Sequence, residues 1–257
     1  MMITTKDLSV QFHQNEVLSK VNFRAEAGQL VSIAGPNGSG KTTLLRALSN
    51  DIGYLGEIGF DGDSLTRLSE KMLAKRRAIL PQATELAFPF TALEVVQMAE
   101  QDRRSDRSTQ ALQRVGLKGF ESRFYQELSG GEKQRVQLAR VLVQVWQPVV
   151  DGKANWLFLD EPVSSLDIGH QIEVMQIARE YADAGGGVIC VMHDLNLAAM
   201  FSDSIALFEK GCLLIQDSPE TVLTEEHLTR AYQWPVRVNR TPTDSIPFVL
   251  PQTANSD

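Results

Sequence analysis

The chain has 257 residues, of which 43% are hydrophobic and 22% are charged, and its formal net charge at pH 7 is −7. This apolar content is sufficient for one large domain with a sizeable core, which excludes disorder over the whole length. The acidic balance, with a sequence pI near 5.2, predicts no nucleic-acid partner, because affinity for a nucleic-acid backbone comes largely from Lys and Arg.

The N-terminal region is predicted to begin with two antiparallel strands. Apolar and polar residues alternate in DLSVQF and in VLSKVNFRAEAG, which flank HQNE. The next run, QLVSIAG, is almost continuously apolar, and KTTLLRALS, beyond a glycine-rich loop, has helical spacing. A buried strand, a loop and a helix in this order predict the opening of an α/β domain.

Two later apolar runs, WLFLDEP and GGVICVMHD, predict two more buried strands that end in acidic or His residues. In a parallel sheet the carboxyl ends of the strands face the ligand crevice. These polar endings are therefore the expected place for chemistry.

The region from about Ala83 to Trp146 has a mostly helical pattern with few strand signals, which indicates a helical insert. The helices are predicted in TALEVVQMAEQ, RSTQALQRVGL and EKQRVQLARVLVQVW. Further on, IALFEKGCLLIQDS predicts a hairpin that turns at EKG, and TEEHLTRAY predicts a short helix opened by Thr224. From Trp234 onward, prolines and polar residues predict an irregular tail.

The glycine-rich loop, Gly35–Thr42, reads GPNGSGKT and fits the pattern G-x-x-x-x-G-K-[ST]. In this pattern the backbone N–H groups surround a β-phosphate, Lys41 reaches the β- and γ-phosphates, and the Thr42 hydroxyl ligates Mg²⁺. The positive end of the following helix adds to the attraction for phosphate. The predicted ATP-binding residues of the loop are Gly35, Pro36, Asn37, Gly38, Ser39, Gly40, Lys41, Thr42 and Thr43.

Asp160 and Glu161 follow the apolar run WLFL and supply the acidic groups that the loop lacks. Asp160 is expected to hold Mg²⁺ through water, and Glu161 to orient or deprotonate the attacking water. Two acids beside a triphosphate are costly unless a metal lies between them, so both ATP and Mg²⁺ are implied.

These motifs predict an α/β fold that has a P-loop NTPase core with a parallel sheet, an N-terminal antiparallel β subdomain and a helical insert. The chain is expected to form one domain with the core at residues 1–82 and 150–230, the helical subdomain at 83–149 and a C-terminal tail at 231–257.

The order of six motifs resembles that of the ATP-binding cassette (ABC) ATPases over nearly the whole chain. The motifs are Gly35–Thr42, Gln82, LSGGE at 128–132, LFLDEP at 157–162, SSLD at 164–167 and His193 at the end of VICVMH.

The resemblance implies that a second copy of the chain completes each site. In that family two cassettes enclose two ATP molecules head to tail, so Ser129, Gly130, Gly131 and Glu132 would contact the ATP of the partner. Ser165 and Asp167 would lie at the dimer interface. Ser129 as a simple helix N-cap is the alternative, which explains the serine but not both glycines.

The resemblance also assigns roles to three side chains around the nucleotide. Phe12 would stack on adenine, although it could instead be a core aromatic, and the neighbouring His13 leaves open which ring is used. Gln82 would contact Mg²⁺ or the attacking water. His193 would bind the γ-phosphate and keep the water and Glu161 in place, so Glu161, His193 and Gln82 form the expected catalytic set.

The stretch ILPQATELAFPFTALEVVQMA and the ending LTEEHLTRAYQWPVRV resemble the ATP-binding subunits of bacterial haem (haemin) importers. A siderophore-iron or cobalamin importer is the alternative, since Phe88 and Phe90 could equally be ordinary core residues. Two departures from the common family pattern are Val163 in place of Thr and the long link between Val145 and Asn155, to which we assign no role.

The implied partners are a second copy of the chain, transmembrane permease subunits and, indirectly, a periplasmic substrate-binding protein. The chain would be peripheral at the cytoplasmic face of the bacterial inner membrane, because no stretch approaches the roughly 18 apolar residues that span a bilayer and the start lacks a secretion signal. The rivals are a non-transport cassette, an exporter half and a nucleotide-sensing scaffold without hydrolysis.

Cys190 and Cys212 both lie in apolar, strand-like runs. This placement predicts buried, inert thiols in a reducing compartment.

Overall fold

The computed structural model describes residues 1–82, 86, 88–100, 106–241 and 247–251. The strands are β1 (Met2–Phe12), β2 (Asn15–Val21), β3 (Arg24–Glu26), β4 (Leu30–Ala34), β5 (Leu55–Phe60), β6 (Asp63–Ser64), β7 (Arg77–Leu80), β8 (Val149–Val150), β9 (Lys153–Ala154), β10 (Trp156–Asp160), β11 (Gly187–Val191), β12 (Ser204–Glu209) and β13 (Cys212–Asp217). The helices are α1 (Lys41–Leu48), α2 (Glu70–Arg76), α3 (Ala92–Gln97), α4 (Arg107–Arg114), α5 (Gly130–Gln144), α6 (Ile168–Asp183), α7 (Leu195–Phe201), α8 (Pro219–Val222) and α9 (Glu225–Tyr232).

The central sheet has the order β13-β12-β4-β11-β10-β7, and every neighbouring pair in it is parallel except β12 with β13. All residues of β4, β10 and β11 are buried. Near-continuous apolar strands are typical of parallel sheets covered on both faces. The predicted α/β fold with a parallel sheet is confirmed, and the carboxyl ends of β4, β10 and β11 lie at one edge.

A second, antiparallel sheet contains the N-terminal strands in the order β2-β1-β5-β6, with β3 also paired to β1. The β1–β2 pair joins through a turn in which His13 has φ 56°. The predicted N-terminal pair is therefore confirmed. The hairpin of β12 and β13 also turns where EKG predicted it, at Lys210 and Gly211.

Helices α3, α4 and α5 lie together in the region predicted to be helical. α5 buries seven residues between Val136 and Val143, and Ala92, Val95, Ala111 and Leu112 of the other two helices belong to the same hydrophobic cluster. The predicted start of this insert at Ala83, Gln101 of its first helix and parts of the tail lie outside the described residues.

The long link after α5 forms a small hairpin of its own, β8 with β9. Arg76 holds this hairpin, because its guanidinium donates to the carbonyl oxygen of Ala154 at 2.8 Å and pairs with Asp61.

Cys190 is fully buried in β11, as predicted, but Cys212 is exposed, so the prediction of a buried thiol was wrong there. Cys212 opens the edge strand β13, where an apolar run faces solvent on one side. None of the helices in the described parts of the chain is both long and apolar enough to cross a membrane.

Candidate functional site

The glycine-rich loop connects the carboxyl end of β4 to the first residue of α1, as the sequence predicted. Lys41 opens the helix and is only 5% exposed. Its ammonium donates to the carbonyl oxygens of Gly35 at 3.0 Å and Pro36 at 2.9 Å. Burial lowers the pKa of Lys41, and the nearby Glu161 and Asp160 carboxylates oppose that shift. The loop therefore surrounds the Lys41 ammonium, and the carboxylates of Asp160 and Glu161 lie near it.

An open cavity of about 410 Å³ lies between this loop and the ends of the neighbouring strands. Its walls are Val17, Asn37, Gly38, Gly40, Lys41, Thr42, Thr43, Gln82, Glu161 and His193. Ser39, in the wall of the loop, has a buried hydroxyl oxygen without a hydrogen-bond partner in the described residues. The structure therefore brings together most of the predicted loop residues and all three predicted catalytic side chains.

Asp160 ends β10 and is 5% exposed. Its Oδ1 accepts a hydrogen bond from the Thr42 hydroxyl at 3.0 Å. Burial raises the pKa of the Asp160 carboxyl, and the Thr42 hydrogen bond opposes this rise. When a carboxylate has lost hydration in this way, a neighbouring cation stabilises its ionised form.

Oxygen ligands suit Mg²⁺, which usually keeps several waters and binds one or two carboxylates together with substrate phosphates. Thr42 and Asp160 provide one hydroxyl and one buried carboxylate side by side. In the described residues no group of three or more His, Cys, Asp or Glu side chains could hold a metal ion alone. The donor set therefore fits an Mg²⁺ ion that arrives with a triphosphate.

Glu161 is the point where the three predicted catalytic side chains meet. Its Oε2 accepts a hydrogen bond from Gln82 Nε2 at 2.9 Å, and its Oε1 lies 2.6 Å from His193 Nε2. Because an ionised carboxylate can only accept, this His nitrogen must carry the hydrogen. Glu161 has φ 51°, a left-handed conformation that is uncommon for a residue with a Cβ and is concentrated at functional sites.

Phe12 and His13 lie at the β1–β2 turn, and both are exposed. Phe12 is 42% exposed, which is unlike a core aromatic residue. Val17 of β2, which the sequence did not single out, lines the cavity instead. The turn therefore presents two exposed rings, neither of which lines the cavity, and the assignment of the adenine contact to Phe12 stays a prediction.

The LSGGE segment does not line the cavity of its own chain. Ser129 caps α5, since its hydroxyl accepts from the Glu132 N–H at 3.3 Å and its own N–H donates to the Glu132 carboxylate at 2.7 Å. This reciprocal pair is a capping box. The hydrogen bond from Ser129 lowers the pKa of Glu132. Ser129 and Gly130 are nevertheless exposed, so the helix start is open to a second molecule.

The two glycines of this segment have different surroundings within the chain. A Cβ on Gly131 would lie 3.0 Å from Leu166 Cδ2 and 3.1 Å from the Ser165 carbonyl oxygen. A Cβ on Gly130 would meet only Ser165 Cβ, at 3.9 Å. Packing inside the chain therefore explains why residue 131 is glycine, but it does not explain why residue 130 is glycine.

This contrast predicts separate effects of two matched substitutions. Gly131→Ala is expected to destabilise the fold by about 1 kcal/mol, because the new methyl crowds the Ser165 carbonyl. Gly130→Ala is expected to change stability by less than about 0.5 kcal/mol and yet to slow ATP hydrolysis. Thermal unfolding and phosphate release of both variants check this, and normal hydrolysis by stable Gly130→Ala would contradict an intermolecular role for Gly130.

Gln134, one turn into α5, is a site residue that sequence reasoning missed. Its Nε2 donates to the Glu161 carbonyl oxygen at 2.8 Å, and its Oε1 accepts from the Ser165 N–H at 3.3 Å. It therefore links the LSGGE helix to the backbone that carries Glu161. The available signal was its position four residues after Gly130, which places it on the same side of the helix.

Ser165 and Asp167 are exposed in the segment that follows Glu161. Asp167 caps α6 by accepting from the His170 N–H at 3.0 Å, and its carboxylate also lies 2.8 Å from the His170 ring. The backbone hydrogen bond from His170 lowers the pKa of Asp167. The structure thus keeps this segment at the surface beside Gly130.

Residues 18–164 match the family model described as ABC transporter. The chain is 53% identical to the Hemin import ATP-binding protein HmuV of Jannaschia sp. (strain CCS1), over 98% of this chain and 95% of that protein. It is 48% identical to the protein of the same name from Mesorhizobium japonicum, over 98% of this chain and 99% of that protein. A solved dimeric bacterial ABC transporter cassette is similar in fold, with 26% identity, a TM-score of 0.73 and coverage of 84% of this chain and 98% of that one.

Proposed function

Because this chain belongs to the ABC transporter family, we propose that it is the ATP-hydrolysing subunit of a bacterial importer of haem. The ATPase assignment is carried by the geometry at Glu161, whose carboxylate faces the Lys41 loop while Gln82 and His193 fix both of its oxygens. The haem assignment is carried by relatives named for haemin import that align over nearly the full chain.

In the proposed reaction, Glu161 accepts the proton of a water molecule that attacks the γ-phosphorus of ATP. The left-handed backbone at Glu161 directs its carboxylate into the cavity. Gln82 and His193 hold this carboxylate in one orientation, and His193, which is 43% exposed at its side chain, is placed to reach the γ-phosphate as well. Lys41 supplies positive charge to the β- and γ-phosphates.

Thr42 and Asp160 are the residues that would hold Mg²⁺ in this site, with Gln82 as a further oxygen ligand. The ion neutralises phosphate charge when it is bound. The burial that raises the pKa of Asp160 also makes its ionised form depend on a nearby cation, so metal binding and ionisation of Asp160 are expected to be coupled.

A second copy of the chain is proposed to complete each ATP site. Ser129 and Gly130 are exposed at the start of α5. The Ser129 N–H is held by the Glu132 carboxylate, so the groups offered to a second molecule are the Gly130 N–H, the Ser129 side chain and the positive end of the helix. Such a helix start suits the γ-phosphate of a nucleotide bound to another chain. Ser165 and Asp167 flank it and would contact the partner.

The remaining assignments follow from the importer role. Residues 83–149 would form the subdomain that receives the permease, residues 1–82 and 150–230 the catalytic core, and residues 231–257 a tail. The chain would be peripheral at the cytoplasmic face of the inner membrane. A periplasmic binding protein would deliver the substrate without contacting this chain. The exposed Phe88 and Met98 lie in the proposed docking subdomain, where a partner would bury apolar surface.

The substrate can be tested with the complete transporter in proteoliposomes. We expect its ATP hydrolysis to rise when the substrate-binding protein is loaded with haem, and not when cobalamin or a ferric siderophore is supplied. The same complex carrying Glu161→Gln is the control for hydrolysis by this chain. Stimulation by cobalamin or siderophore alone would replace the haem assignment and leave the ATPase assignment intact.

A further inference from the structure

The turn that joins β12 to β13 lies between the glycine-rich loop and strand β2. The Gly211 N–H donates to the Ser39 carbonyl oxygen of the loop at 3.2 Å, and the Gly211 carbonyl oxygen accepts from the Ser19 N–H of β2 at 3.0 Å. One glycine therefore uses its two backbone groups for two different elements. Because β2 belongs to the antiparallel sheet, the turn ties the loop to the second sheet of the fold.

The carbonyl oxygen of Val17 in β2 occupies space that two glycines leave free. A Cβ on Gly211 would lie 2.5 Å from this oxygen, and a Cβ on Gly40 of the loop would lie 3.1 Å from it. A carbon atom at 2.5 Å is inside van der Waals contact, so only glycine permits this approach at position 211. The loop, the turn and β2 thus meet at one peptide group, and the side chain of Val17 lines the cavity.

Another hairpin turn shows that the shape of the turn does not by itself require this contact. Lys210 and Gly211 have φ 46° and 81°. Asp61 and Gly62, between β5 and β6, have φ 53° and 91°. Two consecutive positive φ values are typical of two-residue hairpin turns of type I′. A Cβ on Gly62 would meet no atom of the described chain within 4 Å, so the close backbone contact is a property of Gly211.

Strand β2 is the element expected to move if this contact is crowded. It is the edge strand of its sheet, where it pairs with β1. The glycine-rich loop is held more firmly, because it follows β4, which is buried and lies between β12 and β11 in the central sheet. The turn is also held, since Glu209 and Cys212 pair across it. A side chain at position 211 is therefore expected to displace Val17 and to leave Lys41 in place.

Val17 is the apolar side chain in a cavity wall that otherwise consists of polar side chains and glycines in the described structure. The phosphates of ATP gain from the backbone N–H groups of the loop and from the Lys41 ammonium. An apolar wall suits the ribose and the base instead, because these carry the apolar surface of the nucleotide. The distance between Val17 and the loop thus affects how well the nucleoside fits once the phosphates are bound.

We propose that Gly211 is a positioning residue, which by lacking a side chain lets Val17 approach and so sets the separation between the glycine-rich loop and β2 for the nucleoside part of ATP. The inference rests on the proposed ATP site. Gly211 is not among the residues that line the cavity. It therefore acts through Val17 and not by contact with the nucleotide.

The test is Gly211→Ala in the full-length chain. Binding of ATP with Mg²⁺ is expected to weaken about tenfold, because the added methyl overpacks the contact with Val17. Binding of inorganic tripolyphosphate, which has no nucleoside, should stay within about twofold of wild type. Calorimetry with each ligand measures the two affinities. The KM for ATP should rise with the loss of affinity, while kcat at saturating ATP stays within about twofold.

Gly62→Ala is the matched control. It places the same side chain at positive φ in a turn of the same shape, but in open space. Both variants should lower the melting temperature, because alanine is strained in either turn, and only Gly211→Ala should lose affinity for ATP. Gly211→Asn and Gly62→Asn form a second pair with less backbone strain, since Asn adopts positive φ more readily than other residues that carry a Cβ.

A second experiment asks whether the effect passes through Val17. Val17→Ala removes the apolar wall and should itself weaken ATP binding without weakening tripolyphosphate binding. Adding Gly211→Ala to this variant should cost less than about threefold more, because changes that act on one shared contact are not additive. A full additional tenfold loss would show that Gly211 acts by another route.

Three further outcomes would contradict the proposal. Unchanged ATP affinity in folded Gly211→Ala, with normal binding by the wild-type chain, removes the positioning role and leaves the ATP site standing. Equal losses for ATP and tripolyphosphate place the effect in the loop, and equal losses in the Gly62 and Gly211 variants indicate a general loss of stability. Failure of the wild-type chain to bind ATP overturns the ATP site and this inference together.

Discussion

Glu161→Gln is expected to slow ATP hydrolysis by about 10²- to 10⁴-fold, the usual contribution of a general base. The amide has nearly the same shape as the carboxylate, its oxygen can still accept from His193, and Gln82 can turn its side-chain oxygen toward the new NH₂ group, so the cavity should still admit ATP. It cannot accept a proton from water. ATP therefore stays intact, and dimers that enclose it should accumulate.

Phosphate release at saturating ATP and size-exclusion chromatography with and without ATP measure the two effects. Glu57→Gln is a matched control, because Glu57 is an exposed carboxylate in β5 of the antiparallel sheet. That control should hydrolyse ATP at the wild-type rate and form no long-lived dimer. Undiminished hydrolysis by Glu161→Gln would remove Glu161 from the role of base.

Two inactive variants are expected to restore activity when they are mixed. Ser129→Arg blocks the exposed helix start but keeps its own loop, and Lys41→Ala disables the loop but keeps its helix start. In a mixed dimer, the loop of the first variant meets the helix start of the second, which makes one complete site. Equal mixing should recover about a quarter of the wild-type rate, since half of randomly formed dimers are mixed and each has one intact site of two.

Two reference measurements are needed. Each single variant is assayed alone, and a chain that carries both Ser129→Arg and Lys41→Ala is mixed with the wild-type chain. Each single variant should be inactive, and Ser129→Arg should still bind ATP as a monomer. If no mixing ratio of the two single variants restores hydrolysis, the shared site is wrong. The proposal that Glu161 is the base does not depend on this result.

The phosphate loop and the strand ends could be predicted because their chemistry is local in sequence. The loop Gly35–Thr42 needs only one strand before it and one helix after it, and both have clear apolar patterns. The roles of Gln82 and His193 came from the resemblance to the ABC ATPases. Their position beside Glu161 agrees with the rule that parallel strands end at one edge of the sheet.

The contacts that the sequence did not predict depend on how distant elements pack. Gln134 acts through the backbone of Glu161, which only the placement of α5 decides. Cys212 was expected to be buried because its run is apolar, but the run belongs to an edge strand, and a one-dimensional pattern does not say which strand of a sheet is last.

The exposed Cys212 makes this chain suited to site-specific labelling without any substitution. Its only other thiol, Cys190, is fully buried, and burial raises the pKa of that thiol, so a maleimide dye reacts in the native protein at one position. That position adjoins Gly211, which touches Ser39 of the loop. A fluorophore there is expected to report nucleotide binding from outside the cavity, in a protein that keeps every native side chain around the ligand.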